Sequence, residues 1–377
     1  MGGRPPVVED LTTTVCTVPT DAPESDGTAE WTSTTMVAVR VRSEGVTGLG
    51  WTYGPAACAA LVEGLLRDVV VGRPVAAVTG TWDAMVHEAR NATRAGAVGY
   101  AISAVDVALW DLKARLLGTA LADLLGRAHE RVPVYGSGGF TSYDDDRLAE
   151  QLRGWAVDQQ IPRVKIKIGR PGGVHHERDV ERMMVARRAI GPDAELFVDA
   201  NGAYTAKQAL RAIAAAQDAG AGVTWFEEPV SSDDLDGLRL VREHTASDVA
   251  AGEYGTDVGY FRRMCAAGAV DCLQADATRC GGYTEWLRAA AVAAAFELDV
   301  SAHCAPNLHA PVAAAAANLR HVEWFHDHVR IEQRLLRGAL DPQGGSVVPD
   351  SDRPGHGLTF DDDAAEPFVV PTPGEVQ

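Results

Sequence analysis

Apolar and polar positions change texture once along this 377-residue chain, near residue 131. Before that point the pattern is mixed. Residues 7–18, 31–42 and 45–53 read as three strands, and the polar stretch 19–30, rich in Asp, Glu, Pro, Ser and Gly, reads as a loop between the first two. Helical patterns follow over 56–69, 81–89 and 101–117. In the last of these Ile102, Val105, Leu109, Leu112 and Leu116 recur at helical spacing, and Gly118 supplies a stop.

After residue 131 short apolar runs alternate with helical stretches. The runs 132–136, 163–168, 196–200, 224–227, 249–253, 272–276, 300–303 and 322–324 predict eight strands. The segments 179–189, 206–219, 235–245, 260–267, 283–296 and 312–318 predict helices between them. Strands separated by helices pair in parallel. Eight of them over about 200 residues predict an α/β chain closed into a barrel, with its active face at the C-terminal strand ends. An open doubly wound sheet is the alternative, but the chain has no strand–GxGxxG–helix fingerprint to support it. Beyond Ile331 the chain reads as loop, punctuated by Pro342, Gly344, Gly345, Pro349, Pro354, Gly355 and Gly357, and is expected to run back against the first domain.

Composition narrows the function classes. With 46% hydrophobic and 23% charged residues the chain is globular. A net charge of -18, from 34 basic and 52 acidic residues, argues against nucleic acid and anionic membranes as partners. An anionic substrate still fits if a bound cation inverts the local field. The six cysteines make no CxxC pair and read as reduced core thiols. The first six residues lack an apolar signal core, and no apolar run reaches membrane-spanning length. A cytoplasmic protein is expected.

Candidate chemistry sits at the ends of seven successive strands. The second carries Lys165-Ile-Lys167, the third Asp199-Ala-Asn201, the fourth Glu227-Glu228-Pro229, the fifth Glu253, the sixth Asp276, the seventh His303 and the eighth Glu323. Surface ion pairs would explain any one of these, but not the series. Three carboxylates converging in one barrel mouth repel each other, so one stays protonated or a cation sits among them. All-oxygen ligation by Asp199, Glu227 and Glu253 suits Mg²⁺. Lys165 and Lys167, two apart on a strand, point to the same face. Two ammonium groups beside a cation are expected to depress each other's pKa, which would make a lysine a base near neutral pH. Asp276 at the end of a neighbouring strand can fix the tautomer of His303 and raise its basicity, making a second base.

The order Lys-x-Lys, Asp-x-Asn, Glu-Glu-Pro, Ala-Gly-Glu, Asp, His, Glu resembles the enolase superfamily in its mandelate racemase subgroup. The run Gln274-Ala-Asp-Ala-Thr-Arg-Cys-Gly-Gly282 is similar to that subgroup's sixth-strand signature, and residues 101–113 are similar to its helix before the barrel. The resemblance implies a modified TIM barrel, (β/α)₇β, over 131–340. It implies an N-terminal α+β capping domain over 1–130, completed by 341–377. It also implies Mg²⁺ on Asp199, Glu227 and Glu253, with no other cofactor. Lys167 would be one base with Lys165 as its electrostatic neighbour. His303, oriented by Asp276, would be the other, and Glu323 would hydrogen-bond the substrate carboxylate. Residues 19–30 and 51–55 would be the cap's specificity loops.

The implied common step is removal of a proton α to a carboxylate, with the enolate stabilised by Mg²⁺. With a hydroxyl on the β carbon the outcome is dehydration, and a sugar acid is the expected substrate of a magnesium-dependent lyase. Without one, a racemase or epimerase of a 2-hydroxy acid results. A third reading, a catalytically dead relative that only binds a ligand, sits poorly with both bases being present. The expected partner is a small-molecule carboxylate, with no nucleic acid and no membrane; the resemblance adds a homo-oligomer. The position of Cys304 beside His303 has no explanation in the sequence.

Overall fold

The structure, a computed structural model, describes residues 5–370. The first residues of the leader reading, 1–4, and the end of the tail expected to complete the cap, 371–377, lie outside the described residues.

The N-terminal part is a three-stranded antiparallel sheet of β1 (Asp10–Ser25), β2 (Glu30–Ser43) and β3 (Val46–Tyr53), in that order. The helix Ala97–Leu116 lies across it, with Ile102, Val105, Leu109 and Leu112 buried. Helix and sheet approach so closely that a Cβ on Gly50 would stand 2.2 Å from the carbonyl oxygen of Ala104. The loop expected over 19–30 is corrected: β1 continues to Ser25, and pairing with β2 resumes at Glu24 and Ser25, opposite Trp31 and Glu30, after an irregularity between Pro19 and Glu24. Pro23 falls in the unpaired stretch, where no ladder hydrogen bond is demanded of it. A polar, proline-containing sequence therefore reads as loop although most of it is strand.

The second part is the closed barrel. Its strands are β4 (Val132–Gly138), β5 (Arg163–Lys167), β6 (Glu195–Asp199), β7 (Val223–Glu227), β8 (Asp248–Ala251), β9 (Cys272–Ala275), β10 (Asp299–Ala302) and β11 (Leu319–Phe325). Each pairs in parallel with the next, and β11 pairs with β4 to close the ring. Val164, Ile166, Leu196, Val198 and Val249 face the helix layer, whereas Tyr135, Phe197, Trp225, Ala250 and Cys272 fill the interior with His321 against their rings. Beyond this plug, at the C-terminal end, the barrel collects a group of buried charged side chains.

Some helix boundaries differ from expectation. The helix expected over 312–318 is Pro306–Ala315, because proline is tolerated in a first turn. The helix Asp145–Arg153, capped by the Asp144 side chain, was not foreseen. The loop expected beyond Ile331 is in part the end of a helix, His326–Leu335, with Ile331 and Leu335 buried. Farther along, Ser346–Val347 pairs antiparallel with β4, the Leu121 amide donates to the Gly355 carbonyl, and the Val370 amide donates to the Val15 carbonyl. Among the described residues no helix is long and apolar enough to cross a membrane. All six cysteines are unpaired and buried.

Candidate active site

Strand register assembles the acidic group. Asp199 ends β6 and Glu227 ends β7, and the two are paired neighbours. Glu253 lies two residues past the end of β8, which pairs with β7. All three are buried, and one oxygen from each lies within 4.8 Å of the others. Glu253 Oε2 is buried with no hydrogen-bond partner. Three hard oxygen donors, one of them unsatisfied, fit a small divalent cation such as Mg²⁺.

Both lysines point into this group from β5. Lys165 Nζ is 2.5 Å from Glu227, 2.8 Å from Glu323 and 3.6 Å from Asp199. Lys167 Nζ is 2.5 Å from Asp199. The expected mutual depression of their pKa values is only a minor effect. Burial pulls the Lys167 ammonium down most and Lys165 pulls it down further, but Asp199, Glu323 and Glu227 together outweigh them and the net shift is upward. Lys165 is likewise held well above its ordinary value, against burial, by Glu227 and Glu323. The lysines are the counter-charges of the carboxylates in this arrangement.

Across the mouth, His303 follows the end of β10. Its Nδ1 is 2.9 Å from Asp276 Oδ2, one residue past β9. Burial lowers the imidazole's pKa, but Glu253, Glu323 and the Asp276 hydrogen bond carry the net shift upward. With Nδ1 donating to Asp276, Nε2 is left facing Glu253 at 3.4 Å. Glu323 in β11 accepts from Ser137 Oγ at 2.6 Å, from the Cys304 amide at 2.9 Å and from Lys165. Burial opposes its ionisation, but Lys165 and His303 hold it well below the ordinary carboxylate range. The structure thus brings Lys165, Lys167, Asp199, Glu227, Glu253, Asp276, His303 and Glu323 into one connected group. Cys304, in the left-handed region at φ 53°, sets its thiol 3.2 Å from His303 Nε2 and 3.4 Å from Glu323. Burial raises that thiol's pKa strongly, so it is a neutral neighbour of the His303 imidazole.

Several contributors were not singled out in the sequence. Arg279 bridges Glu253 at 3.1 Å and Asp276 at 3.4 Å, and it sits inside the sixth-strand run already quoted. Ser137 anchors Glu323. A cavity of about 220 Å³ opens over Lys167, Glu253 and His303, and its far wall is built by Asp26, Trp31 and Thr34 of the cap with Phe325, Asp327 and His328 of the barrel. No local pattern marks that wall, because its two halves lie some 300 residues apart.

The cap hairpin carries one buried acid of its own. Glu24 accepts from Trp31 Nε1 at 3.0 Å, and its other carboxylate oxygen has no partner. Burial, and then the nearby Asp327 charge, push its pKa up to about 9. Its folded value lies above its unfolded one, so the stability it contributes is present at low pH and is lost as pH rises toward 9. Glu24→Gln is therefore expected to melt with the wild type in acid and above it in alkali. The gap should widen by up to about 1 kcal/mol per pH unit. Melting curves that stay parallel from pH 5 to 9 would refute the assignment.

Comparison with known proteins places this geometry. Residues 147–364 match the family model described as enolase C-terminal domain-like, and residues 11–126 match the mandelate racemase / muconate lactonizing enzyme N-terminal domain. Among curated relatives, a 3,6-anhydro-alpha-L-galactonate cycloisomerase of Streptomyces coelicolor is 33% identical over 86% of this chain and 89% of its own. An L-talarate/galactarate dehydratase of Salmonella typhimurium is 27% identical over 88% of this chain and 82% of its own. A solved mandelate racemase/muconate lactonizing enzyme-like protein from Rubrobacter xylanophilus superposes with TM-score 0.93 at 49% identity, covering 97% of this chain and 100% of that one. A racemase from Streptomyces coelicolor, solved with bound magnesium, superposes with TM-score 0.89 at 29% identity, covering the same shares.

Proposed function

The chain belongs to the mandelate racemase / muconate lactonizing enzyme family, and on that premise we propose that it removes the proton α to the carboxylate of a sugar acid and expels water, giving a 2-keto-3-deoxy acid. The observation that carries the reading is that two proton-transfer groups, Lys167 and Asp276-held His303, open onto one cavity beside three buried carboxylates. We assign the cap to 1–130 with 341–377, the barrel to 131–340 and the protein to the cytoplasm.

Mg²⁺ held by Asp199, Glu227 and Glu253 would supply the positive charge that stabilises an enolate. The chain's own residues do the rest. Lys167, freed from Asp199, takes the α proton, and the C–H pair becomes the carbon–carbon double bond of the enolate. His303 delivers a proton from Nε2 to the β hydroxyl, whose carbon–oxygen bond breaks as the enolate collapses; water leaves, and the resulting enol loses its hydroxyl proton and gains one on the β carbon to become the 2-keto acid. Asp276 keeps the imidazole oriented for that delivery. Glu323, ionised beside Lys165 as the site stands, would hydrogen-bond the substrate carboxylate with a proton taken from solvent as the substrate binds. Arg279 holds Glu253 and Asp276 in place.

The 33%-identical cycloisomerase favours a second form of the same chemistry. A 3,6-anhydro acid carries a ring ether oxygen on its β carbon, and expelling that oxygen opens the ring with the same two proton transfers. A substrate with no β leaving group would instead take a proton back from the opposite side, which is racemisation or epimerisation. A library of sugar acids and their anhydro forms, read with semicarbazide for 2-keto products, is expected to give hits. A silent library with α-proton exchange into D₂O on some acid would replace elimination by racemisation.

A further inference from the structure

We infer that the substrate is a monocarboxylate with an uncharged, hydroxyl-bearing far end, an aldonate or its anhydro form, and not an aldarate with a second carboxylate. The inference rests on the reading above and settles between the two kinds of acid carried in the relatives' names, galactonate and galactarate.

The cavity has two ends of different charge character. Its barrel end holds the cations, Lys167 and Arg279, and both are committed to carboxylates of the site: Lys167 to Asp199, Arg279 to Glu253 and Asp276. Its cap end holds anions. Asp327 is 1% exposed and accepts from the Thr34 hydroxyl and, at 2.5 Å, from Arg330. Asp26 uses one oxygen on the Thr28 and Ala29 amides and leaves the other unclaimed by them. Arg330, the partner of Asp327, lies behind this wall, does not line the cavity and also donates to the Pro19 carbonyl at 2.7 Å. Among the described residues, then, no Lys or Arg lines the cap end of the cavity to receive a second carboxylate.

The same wall suits hydroxyl groups. His328 Nδ1 accepts from the Ala305 amide at 3.2 Å, and the ring stacks on Tyr53 with centroids 3.5 Å apart. Burial keeps that imidazole neutral, so its proton is on Nε2, a donor suited to a hydroxyl oxygen. The Asp26 and Asp327 oxygens accept hydroxyl protons. Trp31, tied to Glu24 through Nε1, and Phe325 give apolar faces for carbon-bound hydrogens. A carboxylate placed here would meet Asp26 and the Arg330-paired Asp327 with no lining Lys or Arg beside it, and such a juxtaposition disfavours it.

The test pairs pentonates and hexonates with the aldarates of the same stereochemistry, on the full chain with Mg²⁺, by turnover and by isothermal titration. The expected result is a kcat/KM at least about 100-fold higher for the best monoacid than for its diacid partner. Asp327→Asn and, as a milder second variant, Asp26→Asn should each shrink that ratio by about 10-fold, mainly through a lower KM for the diacid. A diacid that turns over or binds as well as its monoacid overturns the inference and leaves the elimination reading standing. Selective binding of monoacids without turnover of any acid does the reverse. A ratio unmoved by both variants, or no binding of any acid, overturns the inference.

Discussion

Lys167→Ala and His303→Ala are each expected to lower kcat by about 10³-fold or more, because each removes one of two obligatory proton transfers. The two losses should differ in kind. Without Lys167 the α proton stays on carbon, so neither product nor deuterium exchange from D₂O appears. Without His303 the proton can leave and return, but a hydroxide leaving group is stranded. Exchange then persists while elimination stops, and an analogue with fluoride at the β carbon, which needs no protonation, regains turnover. If the α proton of the true substrate faces His303, the two signatures swap, and that swap would report the substrate's configuration. Asp276→Asn should copy the His303 variant in part, because it loosens the hydrogen bond at Nδ1 that leaves Nε2 available. Turnover that survives both alanine variants would end this account of the chemistry.

Chelation has the next largest expected effect. EDTA is expected to lower turnover by at least about 10³-fold, since a cation at an enolate is worth several kcal/mol. Mg²⁺ should restore it, and should also raise the melting temperature by binding the native fold alone. The physical ground is the group of Asp199, Glu227 and Glu253, whose oxygens lie within 4.8 Å of one another. Lys165 and Lys167 offset only part of that repulsion, because Glu323 draws on Lys165 as well. Burial, outweighing Lys165, pushes the Glu227 carboxyl up to about 8, the mark of a group short of positive charge. Glu253→Gln removes a donor and should weaken the restoring effect of Mg²⁺ while the lysines keep the fold. Activity unchanged after exhaustive chelation, with Mg²⁺ leaving the melting temperature where it was, would exclude the proposed role of the ion.

How much of this was legible beforehand can be read from particular residues. The βα rhythm predicted the barrel because strand and helix periods differ, and eight short apolar runs leave little else to build. It located the site residues too, because a barrel collects the C-terminal ends of its strands at one mouth: Asp199 and Glu227 end β6 and β7, and Asp276 and His303 come one residue after β9 and β10. The cap was less legible. Residues 19–25 carry loop composition, yet they run as strand because β2 pairs with Pro19, Glu24 and Ser25 on either side of the unpaired stretch, and Thr141, 116 residues away, bonds Ser25.

By itself, then, the chain's order of residue types determined which side chains stand at which strand ends, and so the residues proposed as metal ligands and as bases. That information is local, since it needs only the period of each element and its length. Charge state and selectivity were decided by the tertiary structure. The upward shift of Lys167, the ionised Glu323, and a far wall that joins Thr34 to Asp327 across 293 residues all depend on neighbours a few ångströms away. Electrostatic energy in a buried site changes steeply over those distances, and spacing along a chain does not encode them.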